Sequence, residues 1–411
     1  MFFFRSPLYL DVNAGSRREY SSGLIPLFFA FKSRRGKSFP VTLTAHVAGL
    51  DQVPPVSLEL TATTDLQSSW LGFVSHLVPD GTWDVILEGF DSRGRKVGFA
   101  KTAVTFVNPG PLAAQVREAL IARQTPLFFA YPADSSRFGA TEPVLKPWYD
   151  QDDADSGIDG RLAAGEITEA LAAQFHQFVR DGYVVLDETI AEPALDKVNA
   201  DLTQAIERGY GGYKPGSSDR IELLHFEYRS AMDMLYQPPV TRFLTQLWGT
   251  DPRPCQCLVF ACGSQQDPHQ DAIHLTSFPD GYMCGVWIAL EDIQPDSGEL
   301  VVYPGSHRLP QVRMADVGCQ KVADGDWAEF GAKVLPVWQS AIDQGTIEPV
   351  IYRPKKGQIL VWHANLMHGG SQRRNLSLSR RSMVVHYFAG GCLNYYDSSG
   401  QIGTQLAARA L

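Results

Sequence analysis

The sequence predicts a mainly β chain with helices, divided into two unlike parts. Residues 1–108 hold short runs rich in Val, Thr, Phe and Leu with no helical stripe between them. Apolar residues at helical spacing begin only at Ile167, and from Cys255 onward the chain is strand-rich again. At 411 residues the chain is long for one domain and suits two or three.

In the first part, Leu8–Val12, Pro40–Val47, Val56–Ala62, Thr82–Phe90 and Val97–Val107 read as strands. Asn13-Ala14-Gly15, Arg35-Gly36, Pro79-Asp80-Gly81 and Ser92-Arg93-Gly94 supply the turns. This spacing predicts an immunoglobulin-like β-sandwich. Met1–Arg5 reads as a first strand, because it lacks the basic region, long apolar core and cleavage site of a secretory signal. The sandwich region has no clustered His, Cys or carboxylates at ligand spacing, so it is left to structure or to holding a glycan or protein ligand.

Asn108-Pro109-Gly110-Pro111 ends that part. Residues 109–164 read as a linker with one short helix, Leu112–Arg123. Within it, Asp155, Asp159, Gly160 and Glu166 fall at positions one, five, six and twelve of a calcium loop. Position three is Gly157, which has no ligand atom, so a solvated linker is the better reading. Residues 165–411 form the second domain. Ile167, Leu171, Phe175 and Phe178 mark a helix that breaks at Asp181-Gly182 into the strand Tyr183–Leu186. Leu195, Val198, Leu202 and Ile206 mark a second helix, and Val240–Leu247 a third that ends at Gly249. Strands are then expected at Cys255–Ala261, Gly281–Leu290, Leu300–Tyr303, Gly357–Trp362 and Ser382–Phe388. Residues 310–350, helical around Trp327–Ile342, are long for a connection and read as a lid or substrate-binding insert.

Composition narrows the function. Apolar residues make up 44% and charged residues 20%, which excludes wholesale disorder. The formal charge of −9 argues against general binding of nucleic acid or of anionic membranes. The longest apolar runs, such as Leu24–Phe31, are far too short for a membrane span. All six cysteines lie from Cys255 onward, which suits a reduced, cytoplasmic protein more than a disulfide scaffold. The Cys255, Cys257, Cys262 spacing does not match a zinc ribbon, and buried thiols are expected. Gly209–Lys214 is followed by Pro215 and not by the Ser or Thr of a phosphate loop.

The chemistry concentrates in Pro268-His269-Gln270-Asp271. In an extended segment, residues i and i+2 face one way, so His269 and Asp271 can converge. A third ligand is needed, and the best candidate is His368, just before Gly369-Gly370. Two His and one carboxylate on one face leave open positions, the donor set of non-haem Fe(II) oxygenases. Arginine follows His368 about a dozen residues later, where a guanidinium fork suits the distal carboxylate of a 2-oxo acid.

With these residues in order, the chain resembles the phytanoyl-CoA dioxygenase family of Fe(II)/2-oxoglutarate oxygenases over roughly residues 165–395. The resemblance rests on Phe178–Leu186, His269-Gln270-Asp271, Gly285–Asp292, Ser297–Leu300, Tyr303–His307 and Trp362–Gly370. It implies a double-stranded β-helix (jelly roll), with His269, Asp271 and His368 as iron ligands and Trp287 lining the 2-oxoglutarate pocket. Alternation puts Arg380, Ser382, Val384 and His386 on one face and Arg381, Met383, Val385 and Tyr387 on the other. Arg380 is therefore expected to bind 2-oxoglutarate, with Arg381 the alternative. The family often has Ser two residues after the distal His; here Gly370 takes that place and Ser371 follows.

The resemblance further implies that dioxygen and 2-oxoglutarate are consumed to hydroxylate a small or conjugated organic substrate, with succinate and CO2 as coproducts. Asp271 favours hydroxylation, because related halogenases have a small residue there. His274 and His386 are candidate substrate contacts, while His307 reads as structural and His363 as a weaker ligand candidate than His368. Arg373-Arg374 reads as a solvated loop, or as a lure for an anionic substrate. The contrasting reading is a non-catalytic jelly-roll binding module with a degenerate metal site.

Overall fold

The computed structural model describes residues 6–13, 23–50, 55–138, 145–216, 220–344 and 347–406. Met1–Arg5 and most of the Asn13-Ala14-Gly15 turn lie outside these residues. The first part holds β1 (Leu8–Asn13), β2 (Leu24–Ser33), β3 (Phe39–Val47), β4 (Val56–Ala62), β5 (Gln67–Val74), β6 (Gly81–Phe90), β7 (Lys96–Phe106) and β8 (Phe128–Ala130). They form two four-stranded sheets, ordered β1-β2-β5-β8 and β4-β3-β6-β7, with every pairing antiparallel. Period-two alternation does the work in β3, where Phe39, Val41, Leu43, Ala45 and Val47 are all buried. They meet Leu27, Phe29, Leu71 and Phe73 of the other sheet in one core.

The segment expected to be a linker is built into the fold. β8, from within it, closes the sheet beside β5. A helix over Gly110–Ala122 buries Leu112, Val116 and Leu120 in the core that also takes Leu24 and Val74. The stretch with the partial calcium pattern is a helix, Ala154–Ala163, and its Asp155 and Asp159 carboxylates flank the His176 ring at 2.6 and 3.2 Å. A helix cannot wrap a loop's ligands around an ion, so the calcium pattern has no loop to act in, while the two carboxylates stay exposed to solvent. Ala154 and Ile158, four residues apart on one face, anchor this helix to the core.

The second part holds β9 (Tyr183–Val185), β10 (Ile221–Glu222), β11 (Pro252–Phe260), β12 (Thr276–Phe278), β13 (Met283–Ala289), β14 (Leu300–Val302), β15 (Val350–Tyr352), β16 (Ile359–His363), β17 (His368–Gly370), β18 (Ser382–Ala389), β19 (Leu393–Tyr396) and β20 (Gln401–Ile402). The main sheet is ordered β10-β11-β18-β13-β16-β9, and two three-stranded sheets are ordered β15-β14-β17 and β12-β19-β20. Its middle strands β13, β16 and β18 are buried at every position, because both faces are covered. One face packs on helices Glu169–Asp181, Glu192–Glu207 and Pro238–Trp248 through residues such as Phe175, Phe178, Leu195, Phe243 and Leu247. The other face carries a core of Phe260, Trp287, Leu360 and Val384 closed by Leu300 and Val302 of β14.

Two glycines are required by close approach. Gly182 caps its helix at φ +76°, and a Cβ there would lie 2.4 Å from His307 Nδ1. Gly285 of β13 faces Trp362 of β16, and a Cβ there would lie 2.2 Å from the indole ring. The missing side chain at Gly285 lets Trp362 lie across the sheet toward the site. The expected helical insert is two helices, Ala328–Lys333 and Leu335–Gln344. Among the described residues, no helix is long and apolar enough to cross a membrane.

Candidate metal centre

His269 and His368 face each other across an isolated antiparallel bridge. Each backbone N–H donates to the other's carbonyl, at 2.9 and 3.1 Å, and the imidazole centroids are 4.5 Å apart. Gln270 is extended, but Asp271 opens a tight helical turn over Asp271–Ile273 in place of the continuous strand that was expected. The i, i+2 relation survives because only the intervening residue must be extended. Candidate ligand atoms of His269, Asp271 and His368 lie within 4.8 Å of one another. This is the only such group of His, Cys, Asp or Glu among the described residues.

The surroundings prepare these atoms for a cation. His269 Nδ1 is 2.8 Å from the Asp267 carbonyl, and His368 Nδ1 is 3.0 Å from the Leu366 carbonyl. A carbonyl only accepts, so each Nδ1 carries the proton and each Nε2 presents its lone pair. Burial, and then the neighbouring His368, lowers the His269 pKa to about 4, so its imidazole is neutral. Asp271 Oδ2 accepts the Trp362 indole N–H at 2.8 Å and lies 3.2 Å from His386 Nε2. Burial works to raise this carboxyl, but the imidazoles of His368 and His386 reverse it and hold it well below the usual carboxylate range. Two imidazoles and one carboxylate with a free edge fit a divalent metal with open positions.

The centre opens into a cavity of about 820 Å3. Arg380 lines it and is 3% exposed, with Nε donating to the Gly298 carbonyl at 3.0 Å and Nη1 to Ser382 Oγ. Its guanidinium lies 5.0 Å from the Phe260 ring and 5.8 Å from Trp287, which lines the same cavity. Burial lowers its pKa to about 10, so it stays cationic at neutral pH. Arg381 points away: Nη1 donates to Thr203 Oγ1 at 3.0 Å and to the Asn199 carbonyl, both on the helix behind the sheet. Ser371 is also turned aside, donating its hydroxyl to Glu299 Oε2 at 2.6 Å.

His274 and His386 both line the cavity. His386 is the partner of Asp271 already described. His274 Nδ1 is 3.2 Å from Ser398 Oγ, and its ring packs 5.2 Å from Phe330 and 5.6 Å from Trp327. The tight turn at Asp271 redirects His274 from the opposite face an ideal strand would have given it. The insert thus forms one wall, and its Trp338 donates to Gln270 Oε1 at 3.0 Å, beside the ligands. His363 lies elsewhere, with Nε2 3.2 Å from Asp150 Oδ2, and His307 packs 5.5 Å from it. Arg373 spends Nη2 on the Leu376 and Leu378 carbonyls, both at 2.7 Å. All six cysteines are free.

Sequence reasoning overlooked Trp362 and Gln270 as partners of the centre, and Arg220 of the cavity wall. The Gly285–Trp362 pairing was the available signal for Trp362, but it needs the strand register to be seen.

Two imidazoles and one carboxylate beside a β-lined cavity are the donor set that non-haem iron oxygenases use. Residues 178–382 match the family model described as Phytanoyl-CoA dioxygenase (PhyH), and the chain belongs to that family. It is 30% identical over 124 residues to mouse (Mus musculus) "Phytanoyl-CoA dioxygenase domain-containing protein 1", covering 30% of this chain and 39% of that protein. It is 26% identical over 131 residues to rat (Rattus norvegicus) "Phytanoyl-CoA dioxygenase, peroxisomal", covering 31% of this chain and 35% of that protein. The chain thus spans well under half the length of these curated relatives. Among solved structures, it is similar to the non-heme alpha ketoglutarate dependent carbocyclase SnoK from nogalamycin biosynthesis. That similarity has a TM-score of 0.45 and 16% identity, over 55% of this chain and 86% of SnoK. EctD from S. alaskensis, solved with bound Fe, gives a TM-score of 0.42 and 20% identity over 54% of this chain and 77% of EctD.

Proposed function

We propose that the chain is a non-haem Fe(II)- and 2-oxoglutarate-dependent dioxygenase that hydroxylates a small or conjugated organic substrate, yielding succinate and CO2. The observation that carries this is the convergence of His269 Nε2, His368 Nε2 and the Asp271 carboxylate at one end of a cavity that also holds Arg380. Bound iron with 2-oxoglutarate would supply the activation of dioxygen. His269, Asp271 and His368 would hold the iron, and Arg380 and Trp287 would hold the distal end of 2-oxoglutarate. Ser382, which accepts from Arg380, fixes the guanidinium in place. Trp362 and His386 orient Asp271, so His386 acts through the carboxylate and not on substrate. The insert wall of Trp327, Phe330 and Trp338 would keep water from the reacting centre and, with His274, face the substrate.

The same reading treats residues 165–411 as the jelly-roll oxygenase and residues 1–108 as an immunoglobulin-like sandwich that holds a glycan or protein ligand, with 109–164 between them. It takes the partner of the cavity to be a small molecule, with no nucleic acid or membrane partner, and the location to be cytoplasmic. The charge of −9 and the free cysteines support these last assignments.

Incubation with Fe(II), 2-oxoglutarate and oxygen tests the reaction. Succinate should form in the wild-type chain and not in His269→Ala or His368→Ala. Absence of succinate in the wild type, or its persistence in both variants, contradicts the proposal.

A further inference from the structure

Arg220 is the cation of the cavity lining that the proposed function leaves unused. β10 places it there. Glu222 of β10 is paired with Leu258 of β11, and residues paired across a sheet share a face. Leu258 lines the cavity, and so do Glu222 and, two residues earlier, Arg220. Ile221 between them is 2% exposed and faces the core. Arg220 is thus a cation on the inner wall, near enough for its charge to be among the influences that keep His274 neutral.

Its hydrogen bonding is incomplete. Glu222 Oε1 takes both Nε and Nη2 of Arg220, each at 3.0 Å, and Nη1 has no partner among the described residues. Side-chain exposure is 31% for Arg220 and 52% for Glu222, so the arginine is the more covered of the pair. Arg380 sits in its own niche against Phe260 and Trp287. The cavity therefore holds two separate guanidinium groups, and one dicarboxylic cosubstrate held at its distal end by Arg380 leaves the second with Glu222 as its partner and Nη1 open to a further anion. The same cavity is lined by the apolar rings of Trp327, Phe330 and Trp338. A volume of about 820 Å3 has room for the cosubstrate together with a second small molecule.

We propose that Arg220 is the anchor for an anionic substrate, an organic carboxylate or phosphate whose apolar body lies against Trp327 and Phe330. This rests on the oxygenase reading and names its substrate class. The cation selects the charged end by a charge-assisted hydrogen bond, and the wall selects the body by area alone. Specificity for the anion is then sharp and specificity for the body is broad.

The test uses the full chain loaded anaerobically with Fe(II) and 2-oxoglutarate, and begins by recording the visible charge-transfer absorbance. A missing band sinks the oxygenase reading itself and is seen before any probe is added. Probes are then titrated by tryptophan fluorescence: 4-phenylbutyrate, octanoate and phenethyl phosphate, against 4-phenylbutanamide, octanamide and phenethyl alcohol. Anions should bind at least about ten-fold tighter than their neutral partners, the scale of one charge-assisted bond of about 1.4 kcal/mol or more. Arg220→Gln should remove that preference while leaving the neutral probes and the 2-oxoglutarate affinity unchanged, and Arg220→Lys should restore part of it. No anion preference in the wild type, or a preference that survives Arg220→Gln, overturns the proposal. A several-fold loss of 2-oxoglutarate affinity in Arg220→Gln also overturns it, by assigning Arg220 to the cosubstrate.

Discussion

Trp362 donates its indole N–H to Asp271 Oδ2 at 2.8 Å, across the gap that Gly285 leaves open. With His386 Nε2 on the same oxygen, Oδ2 is occupied twice and Oδ1 is left as the free ligand atom. Trp362→Phe keeps a ring in place but removes the donor from a buried carboxylate. Divalent metal affinity should fall about 10–100-fold, the usual cost of losing such a partner. Anaerobic titration with Co(II), followed by its visible absorbance, measures this. A dissociation constant within about two-fold of wild type would show that the indole does not position Asp271.

Arg380 and Arg381 are adjacent in sequence and opposite in space. Arg380→Gln should weaken 2-oxoglutarate binding by about ten-fold or more, because the proposed charge-assisted pair with its distal carboxylate would be lost. Arg381→Gln should leave that affinity within about two-fold and instead lower the thermal midpoint, since it cuts the tie from β18 to Thr203 and Asn199. Calorimetric titration of 2-oxoglutarate into the Fe(II)-loaded variants, beside their melting curves, separates the two. The opposite pattern would give the cosubstrate to Arg381.

His76 ties the first part of the chain to the second, with Nε2 2.6 Å from the Gly391 carbonyl and the residue 2% exposed. Burial lowers its pKa from 6.5 to about 4, with opposing help from Gly391 and Asp80 and further lowering from Arg117. Between these values the unfolded chain takes up a proton that the folded chain refuses. The stability from His76 is therefore complete above about pH 6.5 and is lost as pH falls toward 4. The loss is on the order of 3 kcal/mol, from about 1.4 kcal/mol per pKa unit. His76→Gln keeps a donor without titrating, so its urea midpoint should depend less steeply on pH across this window. An unchanged slope would show that His76 is not the group responsible.

Trp338 is 2% exposed and joins the insert to Gln270 between the two ligands His269 and Asp271. Trp338→Ala should cost about 3–5 kcal/mol locally, as for other large buried aromatics. Amide exchange should quicken over 328–344 while the main sheet stays protected. Uniform quickening across the chain would mean the insert is not a separable unit.

Much of the second part was legible because its signals are local. Helical spacing at Leu171, Phe175 and Phe178 and the αL residue Gly182 mark a helix that runs over Glu169–Asp181. The His269, Asp271 and His368 set was legible from type and order, since few other residues supply two imidazoles and a carboxylate in that pattern. What escaped depends on tertiary context. β5 begins Gln-Ser-Ser-Trp, half polar and without alternation, and is held by pairing with β2 and β8. β2 showed itself as the apolar run from Leu24, which was weighed against a membrane span and not as a strand. β8 has only three residues among prolines. The helix Ala154–Ala163 contains Gly157 and Gly160 and buries only Ala154 and Ile158, too little for a visible stripe. His386 and Trp362 stood on strands already recognised, but their meeting at one oxygen follows from register and from Gly285, which spacing alone does not give.

The most direct measurement is the visible absorption of the anaerobic chain on adding Fe(II) and then 2-oxoglutarate. A charge-transfer band near one equivalent of iron should appear in the wild type. It should be absent in His269→Ala and Asp271→Ala, and should need far more 2-oxoglutarate in Arg380→Gln. No band in a folded wild-type chain, or a band that survives loss of both ligands, would contradict the account.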